Sequence, residues 1–382
     1  MFPLLIKEKN NRLKTGFTTG ACAAAAAKAA ALTLVQQKRV DRIKIILPCD
    51  RDVCFDILRS SFTREYAECS VRKYSGDDPD VTNGAEIDAK VSWIEDNTPD
   101  CSISPLIKIE GGEGVGIITK PGLGLEIGSP AINPIPRKMI RYSVEEAIQP
   151  SLSSLEIRLN VIISVPDGKE ISKRTLNQRL GIINGISILG TTGIVYPYSI
   201  SAFIRCVIQA IDVAGNTGCS DLIFTTGRRS EKFAQRILDD RSCVHEEAFI
   251  LVGDFIGVGL KAAADRGIKK VTICGMPGKI FKMAQGKMYT HSKSSRLDIR
   301  YLLNIISDID GVDGIIDKLQ DINTARRLYE LIIEKDDTQA SYIFGEICKK
   351  VCQRVSSYVK NRLVIECILT DFDGNILGRS SL

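Results

Sequence analysis

The second half of the chain alternates short apolar runs with amphipathic stretches. The runs DLIFTTG, AFILVGD and KKVTICGMPG are almost continuously apolar, and each is followed by a stretch with helical periodicity. This alternation is typical of a parallel sheet that is covered by helices on both faces. With ISILGTT as a further strand, it predicts a mainly parallel, Rossmann-like sheet over residues 179 to about 298. The chain beyond is expected to be mainly helical, with a closing hairpin around Asp373-Gly374.

The first half has a different rhythm. Residues 20–36, GACAAAAAKAAALTLVQ, predict one helix, because alanine is the strongest helix former. Strand patterns follow at RIKIILP, CFDIL, AEIDAKVSWI and PLIKIEGG, and two prolines start the helix RKMIRYSVEEAIQ. LEIRLNVIISVPDGKEISKRT predicts a β-hairpin around its Pro-Asp-Gly turn. We therefore expect an α/β protein, with an α+β domain over residues 1–178 and a Rossmann-like domain with a helical C-terminal extension over residues 179–382.

The composition and charge of the chain argue against two classes of binding partner, nucleic acids and membranes. The chain has 382 residues, enough for two domains, and its net charge of +5 is spread evenly, without the basic stripe of a nucleic-acid-binding protein. Twelve cysteines without a Cys-x-x-Cys pair, and an N-terminus unlike a signal peptide, favour the cytoplasm. No apolar run reaches the roughly 18 residues of a membrane span, so we expect no membrane partner. Whether the chain forms a homo-oligomer stays open.

The tripeptide Thr-Thr-Gly occurs three times, as Thr18-Thr19-Gly20, Thr191-Thr192-Gly193 and Thr225-Thr226-Gly227. Each copy precedes a predicted helix, where backbone N–H groups attract anions and glycine lets a ligand approach. Ordinary helix capping explains any single copy equally well. The second and third copies follow predicted strands, and ligands of open parallel sheets lie beyond the carboxyl ends of the strands. That position favours ligand binding at these two copies.

Three further loops fall at predicted strand ends. Arg228 and Arg229 follow Gly227 and suit carboxylate or phosphate groups. Asp254 follows Gly253, and its carboxylate can bind ribose hydroxyls or simply cap a helix. The loop Gly275–Lys279 is too short for a nucleotide-binding P-loop and is interpreted as a weak anion site.

Three other segments carry candidate chemistry. The loop Gly76–Asp80 holds three carboxylates, which could bind a metal, act as a base or form a solvated turn. The glycine-rich stretch Pro121–Met139 could turn Asn133, Arg137 and Lys138 toward a ligand. His291, in the polar sequence THSK, is a better base candidate than His245, although a surface role fits either histidine.

Seven segments, taken in order, resemble the cobalt-precorrin-5B C1-methyltransferase family, the CbiD type of the anaerobic cobalamin pathway. They are LKTGFTTGACAAAAAKAA, SGDDPDVTNGAEI, TKPGLGLEIGSPAINPIPRKMI, TLNQRLGIINGISILGTTGIVYPYS, LIFTTGRRSEKFA, VGDFIGVGL and GMPGKIFKMAQGKMYTHSKSS. These segments extend from about residue 12 to 298, and the first and fourth are highly specific. The chain beyond carries little of the resemblance.

The resemblance implies an activity. Such an enzyme transfers the methyl group of S-adenosylmethionine to C1 of cobalt-precorrin-5B and yields cobalt-precorrin-6A. The cobalt belongs to the substrate, and no metal of the protein's own is implied. The acidic-Gly-x-Gly-x-Gly loop of the commonest methyltransferases does not occur here, so the cofactor site cannot be assigned by motif.

Site residues are therefore expected where glycine-rich helix starts and cations meet a polycarboxylate macrocycle. We expect the cofactor at Thr191, Thr192, Gly193, Gly253 and Asp254. We expect the corrinoid at Thr18, Thr19, Gly20, Asp78, Asn133, Arg137, Thr226, Gly227, Arg228, Arg229 and Lys279. His291 is the candidate for any proton removal, and the ligands are expected in a cleft between the two domains.

Two other functions stay open on the residues alone. The parallel sheet permits a nicotinamide-dependent oxidoreductase that acts on a corrinoid, although no Gly-x-Gly-x-x-Gly follows a strand. A non-catalytic tetrapyrrole carrier would also need cationic, glycine-rich loops. Binding of S-adenosylmethionine separates both from the methyltransferase.

Overall fold

The computed structural model describes residues 13–94, 106–149, 158–238, 245–307, 324–334 and 336–382. The chain divides into two compact units, Met1–Ile200 and Ser201–Leu382. Both combine helices with sheets, which confirms the α/β class. No helix in these ranges is both long and apolar enough to span a membrane.

Unit 1 is built on a five-stranded sheet of order β4-β5-β6-β9-β7, antiparallel except for the pair β7 and β9. Its strands are β1 (Gly16–Phe17), β2 (Arg42–Ile46), β3 (Asp52–Asp56), β4 (Arg59–Phe62), β5 (Tyr66–Arg72), β6 (Glu86–Trp93), β7 (Leu106–Gly111), β8 (Ile117–Ile118), β9 (Arg158–Ser164), β10 (Ile182–Ile183) and β11 (Ile194–Val195). Its helices are α1 (Thr19–Gln36), α2 (Pro134–Ile148) and α3 (Gly168–Ser172).

The alanine-rich helix α1 is the centre of the unit 1 core, as its composition suggests. It packs against α2, β5 and β6, and its alanines from Ala21 to Ala31 are completely buried. A helix with apolar residues on every side must be covered on every side, and methyl groups allow its neighbours to come close. Its one charged residue, Lys28, pairs with Glu146 at 2.8 Å and donates to the carbonyl of Lys44 at 2.7 Å. The ammonium group is thereby neutralised inside the core.

Unit 2 is built on the sheet β13-β12-β14-β15-β16, in which the first four strands are parallel and β16 is antiparallel. Its strands are β12 (Asp221–Thr225), β13 (Phe249–Leu251), β14 (Lys270–Gly275), β15 (Val364–Thr370) and β16 (Ile376–Ser381). The helices of this half are α4 (Ile200–Asn216), α5 (Arg228–Leu238), α6 (Ile256–Asp265), α7 (Pro277–Ala284), α8 (Ile299–Ile306), α9 (Ala325–Ile333) and α10 (Asp337–Tyr358). The predicted parallel strands near residues 223, 251 and 273 are confirmed.

The C-terminal segment completes this sheet. β15 lies beside β14, β16 forms the predicted closing hairpin with β15, and α10 packs against both strands. The sheet therefore pairs strands that lie about 90 residues apart in the chain, β14 ending at Gly275 and β15 beginning at Val364, which the local pattern did not indicate.

Two predicted strands are wrong. The Pro-Asp-Gly turn does not begin a second strand but the short helix α3, which starts at Gly168. The segment ISILGTT does not join the parallel sheet, because Ile186 and Ile188 bridge to Val115 and Ile132 in unit 1. For the same reason the unit boundary lies at residue 200, while the predicted boundary at 178 falls inside unit 1. An apolar run shows that a strand will be buried but not which sheet it will join.

The close packing of α1 predicts a large response to added volume. Replacing the fully buried Ala26 by leucine should lower the free energy of unfolding by roughly 1–3 kcal/mol, because the surrounding core has no space for the extra atoms. Gln36→Leu adds a leucine to the exposed end of the same helix and should change stability by no more than about 0.5 kcal/mol. Urea unfolding of both variants checks this, and equal stabilities would contradict it.

A buried carboxylate makes unit 2 sensitive to acid. Burial of Glu366 raises its pKa, but hydrogen bonds from Lys270, Arg379 and Thr272 outweigh that effect and bring the pKa to about 2. The folded state thus binds this proton less readily than the unfolded state does. The resulting stability is present above about pH 4.5 and is lost as the pH falls toward 2.

Glu366→Gln should therefore cost about 3 kcal/mol at pH 7 and much less near pH 2. Urea unfolding as a function of pH measures this difference. Glu334→Gln removes an exposed carboxylate and serves as the control. A constant difference between parent and Glu366→Gln across the pH range would show that the assigned cause is incorrect.

Candidate functional site

The carboxyl edge of the unit 2 sheet has the topology of a ligand-binding crevice. β12 lies between β13 and β14, so the chain leaves β12 toward one neighbour and later returns to the other side. Open parallel sheets bind ligands at such a switch point, outside the carboxyl ends of the strands. Thr226 and Asp254 lie in the loops that follow β12 and β13, and Lys279 lies in the first turn of the helix that follows β14.

Lys279 connects the three strand ends. Its ammonium group lies in the first turn of α7, directly after β14, and donates to the carbonyl of Thr226 at 2.7 Å. It also pairs with Oδ1 of Asp254 at 3.1 Å. The structure thus brings together three predicted site residues that are far apart in sequence. Because Lys279 is bound to protein groups, its charge holds the edge together, and its role toward a ligand stays a prediction.

The turn after β12 leaves backbone open to the crevice. Apart from its two neighbours in the chain, no described residue has an atom within 4 Å of the position that a Cβ of Gly227 would occupy. Thr226 is closed off by its own turn, where its N–H donates to the hydroxyl of Ser230 at 3.1 Å and that hydroxyl donates to the carbonyl of Gly227 at 2.8 Å. The N-terminus of α5 is therefore held rigidly while Gly227 stays accessible.

The two arginines at this turn differ. Both are exposed, and Arg229 donates to the carbonyl of Phe372, so part of its guanidinium is engaged. Arg228 makes no hydrogen bond or ion pair with the described residues. Arg228 is consequently the better of the two for an anionic ligand.

His291 stands at one end of a row of rings that includes Phe255, the residue after Asp254. Its ring stacks on Tyr289 with centroids 6.0 Å apart and an interplanar angle of 11°, and Tyr289 contacts Phe255 at 5.1 Å. The Nδ1 atom accepts from the backbone N–H of Lys293 at 3.3 Å. His291 is half-buried, so part of its ring is accessible, and its role as a base stays a prediction.

The first two Thr-Thr-Gly copies lie side by side in unit 1. The N–H of Thr18 donates to the carbonyl of Gly193 at 3.0 Å, next to the antiparallel pair of β1 and β11. The prediction that Thr191–Gly193 ends a strand of the parallel sheet is therefore wrong, because this segment belongs to unit 1. A cofactor role for Thr191, Thr192 and Gly193 stays a prediction that has lost this support.

The first copy serves the fold of unit 1. The hydroxyl of Thr18 caps α1 by accepting from the N–H of Ala21 at 3.2 Å. The hydroxyl of Thr19 donates to the carbonyl of Ser187 at 3.1 Å and accepts from the N–H of Leu189 at 2.9 Å. A Cβ at Gly20 would stand 2.7 Å from Cγ of Pro136. These contacts account for all three residue types without a ligand.

The carboxylates of the Gly76–Asp80 loop are also used within unit 1. Asp78 accepts from the N–H of Tyr198 at 2.8 Å, and Asp77 accepts from that of Lys14 at 2.6 Å. Asp80 forms an ion pair of 2.6 Å with the buried Lys73; burial raises the pKa of Asp80, but Lys73 outweighs this and lowers it. Among the described residues, no three His, Cys, Asp or Glu side chains are grouped so that they could hold a metal ion. The loop is thus tied down by backbone and lysine donors.

Two further candidates of unit 1, Arg137 and Asn133, differ in how far their side chains are already bound to the protein. Arg137 donates to the carbonyls of Ile132 at 3.0 Å and Ile109 at 3.1 Å, and burial lowers its pKa. Asn133 precedes α2 and makes no side-chain cap, so its amide is the freer of the two groups. Their roles toward a substrate stay predictions.

Thr290, in the sequence THSK, makes a contact at the unit 2 edge that the sequence did not predict. Thr290, which is 2% exposed, donates its hydroxyl to Oδ1 of Asp254 at 3.0 Å. It is 36 residues away along the chain. A lone threonine without a motif carries no signal of such a contact, so only tertiary structure could reveal it.

Comparison with known proteins agrees with this picture of two units. The CbiD family model matches residues 6–197, and the model of the CbiD C-terminal domain matches residues 289–381. A crystal structure of the cobalamin biosynthesis protein CbiD from Archaeoglobus fulgidus is 28% identical, covers 72% of this chain and 82% of that one, and superimposes with a TM-score of 0.38.

Curated relatives extend over nearly the whole chain. The cobalt-precorrin-5B C(1)-methyltransferase of Leptospira interrogans serovar copenhageni is 44% identical over 96% of each chain. The protein of that name from Geobacillus kaustophilus is 41% identical over 98% of this chain and 96% of its own. The one from Priestia megaterium is 39% identical over 98% of each. With identity at this level from end to end, and with family models that match both of its units, the chain belongs to the CbiD family.

Proposed function

We propose that this protein is the S-adenosylmethionine-dependent methyltransferase that converts cobalt-precorrin-5B into cobalt-precorrin-6A in anaerobic cobalamin biosynthesis. The observation that carries the proposal is the 39–44% identity, over almost the whole chain, to proteins named for C1 methylation of cobalt-precorrin-5B. The free thiols of ten described cysteines suit a reducing cytosol as its compartment.

The crevice of unit 2 offers groups that fit S-adenosylmethionine. A carboxylate oxygen of Asp254 can accept the hydroxyls of a ribose. Just after β14 in the chain, no other described residue outside its own helix and chain neighbours has an atom within 4 Å of where a Cβ of Gly278 would stand. An open glycine lets a ligand reach the backbone N–H groups at the start of a helix. We assign the cofactor to Asp254 on the first of these grounds, and to Gly253 because it precedes Asp254 in the same strand-end loop.

The substrate is a macrocycle that carries many acetate and propionate groups. Arg228 is exposed and has no protein partner among the described residues, while Arg229 and Lys279 add positive charge near the same strand ends. Guanidinium groups bind carboxylates with two parallel hydrogen bonds. We therefore assign these three cations, with the open backbone of Gly227, to the corrinoid. Thr226 is buried, and its N–H and carbonyl are already bound within the protein, so its role is to hold the turn. The corresponding assignment of the unit 1 residues rests on the sequence alone.

S-adenosylmethionine supplies the methyl group, whose bond to sulfur breaks as the bond to ring carbon C1 forms, leaving S-adenosylhomocysteine. The residues of this chain then need to align the two ligands and to exclude water. Asp254 and its neighbours would orient the nucleoside, and the cations would orient the ring. His291 is the group we assign to any proton that must leave.

The first experiment tests the reaction class. Isothermal titration calorimetry should detect binding of S-adenosylmethionine, and incubation with both substrates should increase the mass of the corrinoid by one methyl group. Asp254→Asn should raise the Kd for the cofactor by roughly tenfold or more, as loss of a charged acceptor predicts. If S-adenosylmethionine does not bind, either with or without the corrinoid, the proposal is wrong and a non-catalytic tetrapyrrole carrier is the better explanation.

Arg228→Ala tests the assignment of the substrate. It should raise the Kd for the corrinoid by roughly tenfold, the cost of one charged hydrogen-bonding group, and leave the Kd for S-adenosylmethionine unchanged. Arg326, an exposed arginine on α9 that pairs with Glu330, provides the matched control Arg326→Ala. If Arg228→Ala binds the corrinoid as the parent does, Arg228 does not contact it.

A further inference from the structure

Two polar groups of Thr290 donate hydrogen bonds to the same residue, Asp254. Its hydroxyl donates to Oδ1 of Asp254 at 3.0 Å, and its backbone N–H donates to the carbonyl of Asp254 at 3.0 Å. Its own carbonyl accepts from the ammonium group of Lys282 at 2.8 Å. The segment around Thr290 is thus bound to the strand-end loop of β13 by a backbone bond and, separately, by a side-chain bond.

The two oxygens of the Asp254 carboxylate differ in the number of protein contacts that they make. Oδ1 receives both the hydroxyl of Thr290 and the ammonium group of Lys279. Oδ2 has no hydrogen bond to any residue in the described part of the chain. Lys279 is held in turn by the carbonyl of Thr226, so rotation of the carboxylate would break two contacts at once. One oxygen is anchored and the other is left as a free acceptor.

We propose that Thr290 is a positioning residue, whose hydroxyl fixes Oδ1 of Asp254 so that Oδ2 accepts hydrogen bonds from the ribose hydroxyls of the bound nucleoside. The inference rests on the proposed function, since it takes the ligand of Asp254 to be S-adenosylmethionine. A carboxylate that is fixed in advance loses less freedom on binding, which strengthens the bonds that depend on its direction. Thr290 itself does not touch the ligand.

A purely structural role for Thr290 makes a different prediction. The backbone bond between Thr290 and Asp254 ties the two segments together whatever the side chain is. Valine has nearly the shape of threonine and keeps that bond, but it cannot donate to Oδ1. Thr290→Val therefore removes the orienting bond while the segment stays tied, and Thr290→Ser restores the donor.

The experiment compares two ligands by calorimetry, S-adenosylhomocysteine and its analogue without the two ribose hydroxyls. The parent should bind the analogue roughly tenfold or more weakly, as expected for bonds to a charged acceptor. Thr290→Val should bind S-adenosylhomocysteine several-fold more weakly than the parent does. It should also distinguish the two ligands several-fold less, because Lys279 alone then holds Oδ1 of Asp254. Thr290→Ser should recover the discrimination of the parent.

A second threonine, which lies near the amino end of a strand of the same sheet, supplies the control. Thr217, just before β12, donates its hydroxyl to the carbonyl of Val213 at 2.9 Å. Thr217→Val should discriminate between the ligands as the parent does. If Thr290→Val does not fold, as judged by its thermal unfolding, Thr290→Ala replaces it with less bulk in the same test.

The outcomes separate the two proposals. If Thr290→Val keeps the discrimination of the parent, the positioning role is overturned and the methyltransferase proposal stands. If the parent binds both ligands equally, Asp254 does not bind the ribose hydroxyls. The positioning role is then wrong, and the methyltransferase proposal again stands. If the parent binds neither S-adenosylmethionine nor S-adenosylhomocysteine, both proposals fail.

Discussion

The arrangement of the unit 2 edge depends on one ammonium group. Lys279 lies in the first turn after β14 and binds both the end of β12 and the carboxylate that follows β13. Parallel strands place their ends at one edge, but loops there could splay apart. A partly buried lysine that meets a carbonyl and a carboxylate offsets its loss of hydration and keeps the loops in register.

Copies of the Thr-Thr-Gly tripeptide have different roles in the two units, because in unit 1 the polar side chains bind other parts of the protein. The first Thr-Thr-Gly copy uses its hydroxyls to cap α1 and to bind the strand segment beside it, and the aspartates of the Gly76–Asp80 loop accept backbone and lysine donors. The third copy, after β12, leaves the open turn at Gly227. The same tripeptide therefore supports packing in one unit and offers an accessible helix start in the other.

The site that emerges is electrostatically divided. Asp254 has its charge balanced by Lys279, so one of its oxygens can serve neutral hydroxyl groups, while Arg228 stays exposed toward solvent and suits carboxylates. The proposed function needs both environments, one for a nucleoside and one for a polyanionic ring. Thr290 and Lys279 maintain the difference because both hold the same carboxylate oxygen.

The sequence by itself determined much of this protein: the α/β class, the alanine-rich helix, the parallel strands β12, β13 and β14, and the edge at which Asp254 and Lys279 meet. These follow from periodicity, propensity and strand-end position, which are properties of neighbouring residues. Only the tertiary structure decided that Ile186 and Ile188 pair in unit 1, that β15 completes the sheet, and that Thr290 holds Asp254. Each of these is a contact between distant segments, and its partner is chosen by the packing of the whole unit rather than by any local pattern.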